Sequence, residues 1–187
     1  VLSTTLKDLE SSTDDKQQIE QLIKAAQSSE QRKEAAESTG DNPVTIPLRG
    51  ITKDSESIEI ENLLRTLNKD LLSTTLEANR IQKELNARRT ETKALPVQIA
   101  EAEEELASLV EPEEKPDTNP VLSTALKQAA IARRAKLETA LTLFRQKIAT
   151  YDAEASVLPL EKVALDKRAD ALSKAITDVN AWVTRRH

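Results

Sequence analysis

The chain contains no cysteine, which excludes disulfides and thiolate metal sites. It has no methionine either and starts at Val1, so a processed chain or a piece of something longer is expected. Its two glycines, Gly40 and Gly50, cannot build a phosphate-cradling loop. The one histidine is the terminal His187, a poor place for a general base. Aromatic residues are 2% of the chain, so a large globular core is not expected and narrow apolar seams must suffice. No apolar run reaches the length needed to cross a bilayer, and no stretch reads as a signal peptide. A formal net charge of −5 argues against a general affinity for nucleic-acid phosphates. With no strand series beyond one short stretch, the class is all-α.

What the chain does have is heptad rhythm. From Ile60 the apolar positions step by four and three through Leu64, Leu67, Leu71, Thr74, Ala78, Ile81, Leu85, Arg88, Thr92, Leu95, Ile99, Ala102, Leu106 and Leu109. A 3.5-residue period makes a narrow seam on a helix, and one this long calls for a coiled-coil contact. A continuous helix over this span would be about 75 Å long. The rhythm returns at Leu137, Leu141, Phe144, Ile148, Tyr151, Ala155, Leu158, Lys162, Leu165, Ala169, Leu172, Ile176, Val179 and Val183. Upstream, Leu122, Leu126, Ala130 and Arg133 continue that face through a stutter. Between the seams lies a polar loop at about 111–120, closed by Asn119 as N-cap and Pro120 at the first helical position. The predicted fold is an elongated antiparallel coiled-coil helical hairpin over 55–187, with an additional N-terminal helix packed beside it as one module.

The N-terminal segment, 1–39, is helix-prone but weakly patterned. Leu2, Leu6 and Leu9 share one face, and Ile19, Ile23 and Ala26 another. Ser12 or Thr13, followed by Asp14 and Asp15, reads as a helix start, so a short helix or turn and then a helix from about Asp14 to Ser38 are expected. Residues Glu30 to Glu37 read as almost entirely solvent-facing. The extended linker, 40–54, holds both glycines with Pro43 and Pro47. Val44, Ile46 and Leu48 alternate in it, as a docking strand or a plain connection would. Asp54 to Ser57 then cap the central helix.

Candidate chemistry is sparse. Glu101, Glu103, Glu104, Glu105, Glu111, Glu113, Glu114 and Asp117 gather near the loop, but without the turn glycine of a calcium loop. They read as a solvated acidic tip, so no metal and no cofactor is expected. Folding the hairpin sets these acids beside Lys127, Arg133, Arg134 and Lys136, the flanking charge pattern that fixes direction in coiled coils. Trp182 beside Arg185 and Arg186 could mark a membrane interface or flank the core next to Val179 and Val183. Pro96 and Pro159 each follow a seam residue, predicting kinks or short breaks. Two charges interrupt the seams. Lys162 is expected to set register by pairing with Asp70, or with Asp166 in its own helix if the alignment shifts. Arg88 has no evident acid opposite and is expected to turn outward to Glu84 or Glu91.

Two stretches carry a family likeness. Ala94-Leu-Pro-Val-Gln-Ile-Ala-Glu-Ala and Tyr151-Asp-Ala-Glu-Ala-Ser-Val-Leu-Pro-Leu-Glu-Lys-Val-Ala-Leu, set in long weak-heptad helices, resemble the N-terminal extracytoplasmic region of large MscS-type mechanosensitive channels. That region, often called the MscS porin domain, belongs to the potassium-efflux-like branch. The resemblance implies a non-catalytic regulatory or tethering module on the periplasmic side of the bacterial inner membrane. Its partner would be a downstream transmembrane channel domain of the same chain, with homo-oligomerisation through the full-length channel. The other class open to such a sequence is a coiled-coil adaptor or scaffold, such as an efflux-adaptor hairpin or a cytosolic tether. An efflux adaptor would carry lipoyl-like β segments around the hairpin, and none is visible.

Overall fold

A computed structural model of the chain describes residues 2–41, 57–110 and 119–186. They form α1 (Leu2–Asp41), α2 (Ser57–Ser108), α3 (Pro120–Ala153) and α4 (Val157–Arg186), with no strand among the described residues. The fold is all-α. The chain divides into two compact units, Val1–Ser28 with Arg88–Glu154, and Ser29–Ala87 with Ala155–His187. The extended linker lies outside the described residues except for Gly40 and Asp41, which belong to α1; so does the hairpin loop over 111–118.

In the first unit α2 and α3 run antiparallel. Partners descend α3 as they ascend α2: Arg88 meets Glu154, Glu91 meets Lys147, and Glu105 meets Arg133. Ala102, Leu137 and Leu141 form the core of this pair, covered by Ile99, Leu106, Leu109 and Phe144. Asn119 caps α3 as predicted: its side chain accepts from the Val121 N–H, with Pro120 opening the helix. The missing proline donor costs nothing there, because first-turn N–H groups have no intrahelical partner.

In the second unit α2 and α4 form an equivalent antiparallel pair. Ile60, Leu67, Leu172, Ala175 and Val179 make its core, while Arg80, further along α2, lies in the field of Glu161 near the start of α4. Trp182 is half-buried against that core, the packing role rather than the interface role. Thus each unit contains an antiparallel helix pair, and the second seam is carried by two helices rather than one. The break falls at 154–156, just before Pro159. Proline as the third residue of α4 forfeits no helical hydrogen bond, whereas a continuous helix would crowd its ring against the Ala155 carbonyl. Ala155, predicted as a seam residue, is exposed because it falls in this break.

Pro96 behaves differently: α2 passes through it unbroken. Both Pro96 and Thr92, whose carbonyl loses its partner, are exposed, so water can satisfy the orphaned acceptor. Leu95, directly before it, is completely buried and holds the helix to its unit from the other side.

The N-terminal segment departs most from expectation. It is one helix with no start at Ser12 or Thr13. Thr13 Oγ1 donates to the Leu9 carbonyl at 3.0 Å, and Ser12 is hydrogen-bonded across to Thr139 of α3 at 3.0 Å. Both hydroxyls thus have partners within a continuing helix, and the cap signal was a tertiary contact. The inward stripe of α1 is Thr5, Asp8, Ser12, Asp15, Ile19 and Leu22 in the first unit, and Ser29, Lys33 and Ala36 in the second. Leu6 and Leu9, predicted to share an apolar face, are instead 61% and 48% exposed. The Glu30–Glu37 block is not wholly solvent-facing either: Ala36 is buried, and half-buried Arg32 makes a bidentate pair with Glu161 of α4.

Candidate functional site: a charge cluster at the end of α3

A dense grouping of chemically capable side chains lies in the first unit, where α3 ends against α2. Steps of three and four bring Lys147, Tyr151 and Glu154 along one face of α3 toward Arg88 and Glu91 of α2. The Arg88 guanidinium reaches Glu154 at 2.7 Å and sits 4.8 Å from the centre of the Tyr151 ring. Lys147 donates to one oxygen of Glu91 and the Tyr151 hydroxyl to the other, each at 2.5 Å.

Local position explains the arrangement. Glu154 is the C-cap of α3, where the helix dipole opposes a carboxylate, and its side chain is only 1% exposed. Such a burial is tolerable only with a cation in contact. Arg88 supplies it, and the aromatic ring adds a favourable face for the guanidinium. Arg88 therefore turns inward rather than outward, with Glu154 as its partner at 2.7 Å and Glu91 within its field. It is 17% exposed, and Glu154 is an acid the seam pattern had not marked. Thr92 is exposed, and Glu91, one residue earlier, turns in beside Leu95.

Burial pushes the Glu91 carboxyl up, but the hydrogen bonds from Lys147 and Tyr151 outweigh it and hold the group below its ordinary range. A depressed carboxyl stabilises the fold fully above its unfolded value of about 4.3 and loses that contribution as pH falls through the folded value. Tyr151→Phe removes one of the two donors, so urea midpoints measured from pH 7 down to pH 3 should fall less steeply with acid than in the parent. An unchanged acid limb would refute this role.

A second set of charges joins three helices in the same unit. Asp8 of α1, nearly buried, meets Lys136 at 2.8 Å and Arg133 at 3.7 Å. Arg133 also donates to Glu105 at 2.8 Å, and Arg145 meets Glu103 at 2.7 Å. The expected crossing of acids on α2 with bases on α3 is therefore present for Glu105 and Arg133. Lys136 instead serves α1, and Glu103 finds Arg145 rather than a base nearer the loop. Further along α1, burial and then the adjacent Asp14 hold the Asp15 carboxyl above its ordinary range, with Lys147 and Lys136 opposing.

In the second unit, Lys162 pairs with Asp166, one turn on, at 2.5 Å. That is the second of the two partners considered. Half-buried Asp70 contributes a backbone carbonyl to Ser73. An i,i+4 pair is worth about 0.3–0.5 kcal/mol and ties the lysine to its own helix. Lys162→Leu is therefore expected to leave a single species with the parent's sedimentation profile. A mixture of oligomers would restore a register-setting role.

These charges join helices within each unit. Both carboxylates of the α3 cluster are held by cationic or phenolic donors. Among the described residues, no three His, Cys, Asp or Glu side chains gather to hold a metal ion. No protein-family model, curated protein or solved structure matches this chain.

Proposed function

We propose that the chain is a non-catalytic coiled-coil module of an MscS-type mechanosensitive channel, which regulates or tethers the channel from the periplasmic side of the bacterial inner membrane. One observation carries the proposal: the charged side chains that could do chemistry are committed to joining long helices, at Arg88–Glu154, Glu91–Lys147 and Asp8–Lys136. Helices locked by paired charges transmit position and load rather than transform a substrate. The likeness of the Ala94 and Tyr151 stretches to the channel family supplies the context. No helix among the described residues is long and apolar enough to cross a membrane, and the anchor in this proposal is the transmembrane domain of the same polypeptide. No cofactor or nucleic acid enters.

Recordings under membrane tension test the proposal, using the full-length protein with and without residues 1–187. Deletion is expected to shift the opening threshold and leave single-channel conductance unchanged. An unchanged threshold, or a full-length polypeptide that has no membrane-spanning segment, would overturn it.

A further inference from the structure

Within the first unit the inward stripe of α1 meets α3 in register. Asp8 reaches Lys136, Ser12 reaches Thr139, and the Leu22 carbonyl accepts from Thr150. Partners on both helices ascend together, so α1 and α3 run parallel with a nearly constant offset. Midway along this seam the stripe carries a second acid, Asp15, which is half-buried.

Nothing around Asp15 compensates its charge by contact. Two lysines of α3, Lys136 and Lys147, lie in its field, and both are engaged elsewhere. Lys136 donates to Asp8 at 2.8 Å, and Lys147 to Glu91 of α2 at 2.5 Å. On its own helix the neighbouring Asp14 repels it. Among the described residues no hydrogen bond or ion pair reaches the Asp15 carboxylate. A carboxylate partly withdrawn from water without a donor disfavours its own charge. The helix that carries this cost is also the one most easily lifted. Ile19 and Leu22 apart, its seam with α3 is polar, and the compact core of the unit, Ala102, Leu137 and Leu141, includes no residue of α1. Such an element opens locally while the core stays folded.

We infer that Asp15 is a proton-binding site, and that proton uptake there tightens the docking of α1 on α3. Burial, and then Asp14, raise this carboxyl in the docked helix. A raised carboxyl binds its proton better docked than free. Its contribution therefore grows as pH falls through the docked value and is complete below the free value of about 3.9. Glu91 runs the other way, since its depressed carboxyl makes the α2–α3 contact weaker in acid. Lys147 lies between the two, in contact with one carboxylate and in the field of the other, so acid shifts the balance of this unit from the α2 side toward α1.

The test replaces Asp15 by asparagine, which stands for the protonated form. Hydrogen exchange of the α1 amides over 2–28 is followed in the whole chain, corrected for intrinsic rates. At pH 7 Asp15→Asn is expected to protect these amides severalfold more than the parent, the sign of relieving an unpaired, partly buried charge. That advantage should shrink as pH is lowered toward about 4, where the parent carboxyl takes up its own proton. Asp14→Asn, at the exposed neighbouring position, should give a smaller gain. In the parent, the Asp15 side-chain carboxyl followed by NMR should titrate above the ordinary aspartate range. The inference is overturned if Asp15→Asn leaves α1 protection unchanged or lowers it at pH 7, or if its advantage does not depend on pH. An equal gain from Asp14→Asn, or a carboxyl that titrates within or below its ordinary range, overturns it as well.

Discussion

Replacing Arg88 by leucine should lower the stability of the chain by about 3–5 kcal/mol, the usual cost of stripping one partner from a buried ion pair. The lost side chain itself is not the main cost. Glu154 is left 1% exposed, at a helix C-terminus whose dipole already opposes it, without the guanidinium that lies 2.7 Å away. The contact of Arg88 with the Tyr151 ring disappears too. Urea unfolding followed by circular dichroism reads the loss as a fall in midpoint at unchanged slope.

The double substitution Arg88→Leu with Glu154→Leu separates the pair from its position. Removing both charges leaves nothing buried and uncompensated, and apolar replacements of a buried pair are often neutral. Most of the lost stability should therefore return. If the double variant is as unstable as Arg88→Leu alone, the loss comes from packing around Arg88 and not from the orphaned carboxylate. If Arg88→Leu itself costs under about 1 kcal/mol, the pair behaves as an exposed one and the cluster does not lock α3 to α2.

The α2 seam was legible because burial there is a matter of apolar spacing alone. Every seam position from Ile60 to Leu109 is at least half-buried except Thr92, and the exception sits where Pro96 and the inward turn of Glu91 change the local face. The Asn119–Pro120 start was legible for a similar reason, since a cap is a local hydrogen bond. What could not be read was contact chemistry between segments far apart in sequence. Glu154 looked like any solvent-facing acid until the chain break before Pro159 brought it under Arg88. The α1 stripe had correct heptad spacing throughout, from Thr5 and Asp8 to Ser29 and Ala36, but was written in small and polar residues. A search for apolar periodicity finds only Ile19 and Ala26 of it, and also selects Leu6 and Leu9, which are exposed. Neither compact core includes a residue of α1. Its inward face mixes hydroxyls and an ion pair with Ile19, Leu22 and Ala36, and such a seam leaves only a faint hydrophobic trace.

The second large effect turns on two leucines that composition cannot tell apart. Leu172→Ala should cost about 2–5 kcal/mol, whereas Leu72→Ala should change stability by less than about 0.5 kcal/mol. Leu172 is 2% exposed and belongs to the core formed with Ile60, Leu67, Ala175 and Val179. Truncation there removes packed methyl groups and opens a cavity that two rigid helices cannot close. Leu72 is 61% exposed, one residue past the seam position Leu71, and alanine is the better helix former at such a site. Urea midpoints of the two variants, each against the parent, supply the comparison. Equal losses at the two sites would mean that Leu72 is covered in solution, and a small loss at Leu172 would mean that α2 and α4 do not meet along this seam.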